Sequence, residues 1–167
     1  DPSAMHVLNL AVQCLEPGEC YLEVGTWRGS TFIGALLHND AYGYAIDNDT
    51  MDQYDKDERS SQECWRENVA HYNMTDRAVY INGTVPEVWK TLKIPPVGVY
   101  FFDGDKSTPE AAFDGIAKVA PFLSRRALIF IDDGNEINNR LAIGDFLRQA
   151  QGTCFSLMDL PTPGNGW

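Results

Sequence analysis

Three aspartates stand directly after two apolar runs: Asp103 follows Val97 to Phe102, and Asp132 and Asp133 follow Ala127 to Ile131. Lys106 is the nearby residue able to neutralise them. Carboxylate oxygens are hard ligands, so three that converge suit Mg²⁺, Mn²⁺ or Ca²⁺ and do not suit zinc. Without a cation they repel one another, and one must take up a proton or turn to solvent. The plainer reading is the polar fringe of an α/β sheet.

A second stretch carries different chemistry. Tyr21-Leu22-Glu23-Val24-Gly25-Thr26-Trp27-Arg28-Gly29-Ser30 is an apolar run interrupted by an acid, then a turn over two glycines, with Ser30 as N-cap of a second apolar run from Thr31. A strand, loop and helix of this kind let a ligand approach bare backbone and the first helical N–H groups. A nucleotide-like cofactor is expected there. The dinucleotide fingerprint needs glycines where Glu23, Gly25 and Arg28 stand, and only the middle one is present. No Gly-Lys-Ser/Thr follows the turn, so a P-loop is excluded as well. Glu23 disfavours a pyrophosphate and suits a cofactor carrying an amino acid and a positive charge.

Elements of alternating type must position these residues. Met5, Leu8, Val12 and Leu15 share a helical face that Pro17-Gly18 ends. The pattern predicts strands over Cys20–Val24, Tyr42–Ile46, Ala78–Ile81, Val97–Phe102, Ala127–Ile131 and Thr153–Met158. Between them fall helices over Thr31–His38, Ser61–His71, Pro86–Leu92, Pro109–Ala120 and Asn138–Ala150. Ser60 to Glu63 reads as a capping box, and Asp49 to Glu58 as an acid-rich loop. The fold class is α/β: a Rossmann-like, doubly wound, mainly parallel sheet with helices on both faces, in one domain spanning 1–167. Ligands of such sheets sit at the carboxyl ends of the strands, where Glu23, Asp47, Asp103, Asp132 and Asp133 all fall. Asp47 lies about 20 residues past the glycine turn, where a βαβ unit places a carboxylate on two ribose hydroxyls. Asp49 is its closest rival. Asn82-Gly83 ends the third strand, where a polar group could meet an adenine edge. Trp27, Tyr54, Trp65 and Trp89 could stack on a planar substrate, although core or surface packing is the simpler role.

Composition bounds the partners. The chain has 167 residues, 44% hydrophobic and 22% charged, with a formal net charge of −11. That field argues against nucleic acid and favours small-molecule substrates. Cys14, Cys20, Cys64 and Cys154 have no metal-binding spacing and read as thiols of a reducing compartment. No signal peptide or membrane-length apolar run is visible, and three N-x-T triplets are taken as chance, so the expectation is a cytoplasmic protein. A homodimer is left open. Asp1 in place of methionine and the turn-rich end Pro161–Trp167 suggest a fragment.

The E-x-G-x-x-x-G run of Glu23, Gly25 and Gly29 resembles the first motif of the class I S-adenosylmethionine-dependent methyltransferases. Phe102-Asp103-Gly104-Asp105-Lys106 with Ile131-Asp132-Asp133 is similar to the paired motifs of the metal-dependent catechol and caffeoyl-coenzyme A type O-methyltransferases. It also resembles small class I enzymes reading D-G-x-H, with Lys106 in place of the histidine. The resemblance spans about Tyr21 to Met158 and implies S-adenosylmethionine as cofactor, contacted by Glu23, Gly25, Thr26, Gly29, Ser30, Asp47, Asn82, Gly83 and Asp103. It implies that Asp103, Asp132 and Asp133 hold Mg²⁺ or another divalent cation, and that Asp103 and Lys106 serve catalysis. Lys106 would be the base that deprotonates a substrate hydroxyl, if burial and the cation lower its pKa. Ser107-Thr108-Pro109 replaces the tyrosines of the plant-type pattern, and Asp133 replaces its asparagine. The same resemblance implies a final antiparallel strand, which the sequence does not show. The alternatives are a nicotinamide-type oxidoreductase and a non-catalytic module that binds cofactor or a partner.

Overall fold

The computed structural model of the protein describes residues 2–50, 59–149 and 158. Its elements run α1 (Pro2–Val12), β1 (Cys20–Val24), α2 (Ser30–Leu36), β2 (Tyr42–Asp47), α3 (Ser61–His71), β3 (Ala78–Asn82), α4 (Val85–Thr91), β4 (Val97–Phe102), α5 (Pro109–Ala117), β5 (Leu123–Ile131) and α6 (Ile137–Gln149). Among the described residues, five strands form one sheet in the order β3-β2-β1-β4-β5, and every pairing is parallel. Strand order reverses between β1 and β4, and a crevice opens beyond the strand ends at such a switch point.

Side-chain alternation divides the core between the two faces of the sheet. Tyr21, Ala45, Val99 and Phe101 pack with Leu8, Phe32, Leu36 and Trp65 of α1, α2 and α3. Leu22, Val24, Ile46, Tyr100 and Phe102 pack with Val88, Ala112, Ile116 and Ala142 of α4, α5 and α6. All residues of β1 and β4 are buried, as strands covered on both faces must be. Pairing shifts at the start of β4, so that Val97 and Tyr100, three residues apart, reach the same core.

Several boundaries differ from expectation. Ser30 is the first residue of α2 and not its cap; Gly29 holds the cap position at φ 83° with no side-chain bond. Leu123 already pairs with Val97, so β5 starts earlier than Ala127, and its Arg125 and Arg126 are exposed. The fifth helix ends at Ala117, before a short 3₁₀ turn at Ala120–Phe122. Thr84 and Glu87 form a capping box at α4. The box at Ser60 and Glu63 is as expected. Tyr54 and the strand expected from Thr153 lie outside the described residues, apart from Met158.

Candidate active site

The glycine loop hangs directly off β1. Gly25 has φ 84°, and a Cβ built on it would lie 2.1 Å from the Asp103 carbonyl oxygen, so the loop after β1 touches the loop after β4 at a point that admits only glycine. The Asp103 N–H donates to the Val24 carbonyl (2.9 Å), and the Asp132 N–H to the Phe102 carbonyl (2.9 Å). These rungs carry the sheet's hydrogen bonding past the last strand residues and bring the ends of β1, β4 and β5 together.

Glu23 is fully buried beneath the loop. The hydroxyls of Tyr21 and Thr31 both donate to its carboxylate, the latter at 2.8 Å. Burial pushes its pKa up to about 7, against the lowering effect of those hydroxyls. Thr26 is buried beside it, and its hydroxyl also helps hold the Glu23 pKa down. Glu23 therefore supports the loop from below, with its two oxygens already engaged by this chain's own hydroxyls.

Asp47 ends β2 facing the loop. One of its oxygens accepts from the Trp27 N–H (2.7 Å) and the other from the Asp49 N–H (2.9 Å), and each keeps a lone pair for a ligand hydroxyl. Asp49, at φ 56°, is engaged elsewhere: the Tyr80 hydroxyl (2.6 Å) and the Asn82 amide (2.9 Å) donate to it. Asn82 is exposed, with its NH₂ donating to Asp49. The Gly83 N–H donates to the Asp47 carbonyl (2.9 Å). Trp27 is 47% exposed at φ 46°, with the Arg28 guanidinium 5.3 Å from its ring centre. Trp65 is buried against Phe32 and Tyr80, and Trp89 stacks on Phe122, so both are packing residues.

On the β4 and β5 side, Asp103, Asp132 and Asp133 converge as expected, with one oxygen of each within 4.8 Å of the others. The Lys106 ammonium donates to Asp103 (3.0 Å) and to Asp133 (2.5 Å). Desolvation raises the Asp103 pKa to about 6, with Lys106 opposing and Asp132 and Asp133 adding to the rise. Lys106 departs from the expectation of a lowered pKa. Desolvation alone would lower it, but the bonds and charges of Asp133 and Asp103 together hold it above its ordinary value, so in this arrangement it is a cation. The donor set fits a divalent cation, with one hard oxygen of each of three carboxylates converging, and a bound ion would compete there with Lys106.

Residues that sequence reasoning passed over complete the site. Tyr21 and Thr31 engage Glu23, Tyr80 engages Asp49, and Asn138 and Asn139 reach the two acidic loops. Tyr21 was findable, since residues two apart on a strand share a face. A cleft of about 310 Å³ between α3 and β3, lined by Trp65, Val69, Ala78 and Tyr80 among others, includes none of the acidic site residues. No helix among the described residues is long and apolar enough to cross a membrane.

A parallel sheet with its switch point at β1/β4, a glycine loop after β1 and acids at the ends of β2, β4 and β5 define the class I methyltransferase architecture. A family model described as "Methyltransferase domain" matches residues 22–134, from inside β1 to the turn after Asp133, and the chain belongs to that family. The fold is shared with the O-methyltransferase NovP (TM-score 0.72, 19% identity, 89% of this chain and 72% of that one). TomG from Streptomyces achromogenes, an O-methyltransferase of tomaymycin synthesis solved with S-adenosylmethionine, aligns at TM-score 0.65 and 16% identity over 90% of this chain and 68% of its own. CalS11, a TDP-rhamnose 3'-O-methyltransferase, aligns at TM-score 0.65 and 16% identity over 88% of this chain and 70% of its own. No curated protein matches the chain in sequence.

Proposed function

We propose that this methyltransferase uses S-adenosylmethionine to methylate a hydroxyl of a small molecule, with a divalent cation held by Asp103, Asp132 and Asp133. The observation that carries the reading is the convergence of those three carboxylates beside the glycine loop, on the loops after β4 and β5. Gly25 to Gly29 and Asp47 would hold the cofactor, Asp47 accepting from the ribose hydroxyls. The open lone pairs of Asp47 are consistent with a polar ligand there. NovP, TomG and CalS11 are named as O-methyltransferases, which supports oxygen as the acceptor atom.

A bound divalent cation would supply Lewis-acid charge that lowers the acceptor's pKa, and would draw on the same carboxylates that now keep Lys106 protonated. Lys106 donates to Asp103 and Asp133 as an ammonium, so it would take the hydroxyl proton only once such a cation had drawn those carboxylates away and its own proton had left. The acceptor oxygen then forms its bond to the methyl carbon as the carbon–sulfur bond breaks, the electron pair staying on sulfur. Much of the acceleration comes from holding the reactants in line on rigid strand ends.

One observation favours a second reading. Lys106 already neutralises two of the three carboxylates, so the site could work with its own ammonium in place of a metal, the hydroxyl proton then passing to the Asp103 carboxylate. Methyl transfer from labelled S-adenosylmethionine to catechols and sugar hydroxyls, with Mg²⁺ and with chelator, separates the two. Transfer that stops in chelator and returns with Mg²⁺ supports the cation; undiminished transfer in chelator leaves the lysine reading. No transfer to any hydroxyl acceptor would count against oxygen as the acceptor.

A further inference from the structure

The first turn of α6 carries two consecutive asparagines that reach in different directions, as neighbours 100° apart on a helix do. The Asn138 amide donates to the Lys106 carbonyl (2.9 Å), in the loop after β4. The Asn139 amide donates to the Asp132 carbonyl (3.0 Å) and the Asp133 carbonyl (3.2 Å), in the turn after β5. Asn139 has no exposed surface, and its side-chain oxygen is buried with no hydrogen-bond partner among the described residues. Burying an amide with one end unsatisfied is unfavourable. A leucine would fill similar space without that defect. The position is best explained by what its NH₂ group holds.

What it holds is under strain. Asp133 sits at φ 49°, in the left-handed region that disfavours a residue with a side chain. Asp132 and Asp133 share a site with Asp103, and their charges oppose its ionisation. Lys106 bridges Asp103 to Asp133, a link that depends on the lysine staying in place. The sheet joins the two loops at the Asp132 N–H to Phe102 rung, and past that rung each is tied by its own backbone to α6.

We propose that Asn138 and Asn139 are positioning residues for the cation site: as a pair on one rigid helix turn they fix the separation of the Lys106 loop and the Asp132–Asp133 turn, so that the three carboxylates stay converged on a divalent ion. The inference rests on the metal reading of the site. Partners behind the ligands commonly change metal affinity by about 10- to 100-fold when removed. Neither asparagine is itself a ligand here.

The test is calorimetric titration of the whole chain with Mn²⁺, and separately with S-adenosylhomocysteine, for wild type, Asn139→Leu and Asn138→Ala. Asn139→Leu fills similar space and removes the amide donor without adding charge. Asn138 is only half-buried, so its alanine variant keeps the test usable if Asn139→Leu does not fold. The expected result is a loss of Mn²⁺ affinity of roughly 10-fold or more in each folded variant, with S-adenosylhomocysteine affinity changed by less than about twofold. Variants that bind Mn²⁺ as wild type does, or that lose both ligands in proportion to a lowered melting temperature, overturn the positioning role. A folded wild type that binds S-adenosylhomocysteine but not Mn²⁺ removes the metal reading itself, and this role with it.

Discussion

Gly25→Ala should damage both halves of the site from one position. The backbone there has φ 84°, which costs a residue with a Cβ about 1–2 kcal/mol. The added Cβ would stand 2.1 Å from the Asp103 carbonyl oxygen, 2.5 Å from its carbon and 2.8 Å from the Gly104 nitrogen. All three are backbone atoms, so the Asp103–Gly104 peptide must recede by roughly 1.3 Å or more to reach ordinary contact. Overpacking of this kind costs about 1–3 kcal/mol, for a total near 2–5 kcal/mol. Gly18→Ala is the internal control. It has φ 88° with nothing within 4 Å of its Cβ, so it carries the conformational penalty alone. At roughly 2–4 °C per kcal/mol for a chain of this size, Gly25→Ala should melt several degrees below Gly18→Ala in scanning calorimetry. Because the displaced peptide carries the Asp103 carboxylate, Gly25→Ala should also lose Mn²⁺ and S-adenosylhomocysteine binding, while Gly18→Ala keeps both. Equal melting shifts in the two variants, or a Gly25→Ala protein with undisturbed ligand affinities, would refute the contact between the loops after β1 and β4.

Glu23 has a folded pKa of about 7, above its unfolded value, so the folded protein holds an extra proton between the two and stability falls as pH rises through that window. Up to about 3 kcal/mol is involved. Glu23→Gln should remove that fall in urea titrations at pH 5 and pH 8, and an unchanged pH dependence would contradict the buried acid. Lys106→Ala should lower methyl-transfer turnover by roughly 10²- to 10⁴-fold while leaving S-adenosylhomocysteine affinity intact in calorimetry. Trp27, exposed at the lip of the loop with its N–H on Asp47, should report cofactor through its emission. S-adenosylhomocysteine should change the wild-type fluorescence, and Trp27→Phe should abolish that change; an unaltered response in the variant places the ligand elsewhere.

The sequence made the sheet and its carboxyl edge legible because both follow from local patterns. The unbroken apolar run Val97–Phe102 marks a strand covered on both faces, and parallel strands separated by helices send Glu23, Asp47, Asp103 and Asp132 to one edge. Features set by long-range packing were not legible. Leu123–Arg126 lies ahead of the strand expected from Ala127, and the pairing of Leu123 with Val97 extends that strand to it. The bond that Glu23 accepts from Thr31 of the neighbouring helix was not legible either. The protonation of Lys106 depends on which wins, burial or Asp133 and Asp103, and only distances decide that. Asn138 and Asn139 carry no motif. Their role lies in backbone carbonyls more than five residues away, which sequence spacing does not reveal.

Calorimetric titration of wild type and Asp47→Ala with S-adenosylhomocysteine tests the central claim most directly. The account predicts micromolar binding to wild type and a large loss in Asp47→Ala, because that carboxylate both braces the loop at Trp27 and faces the ligand. A folded wild-type protein that binds no S-adenosylhomocysteine, or an Asp47→Ala variant that binds it equally well, would contradict the placement of the cofactor at the carboxyl edge of β1 and β2.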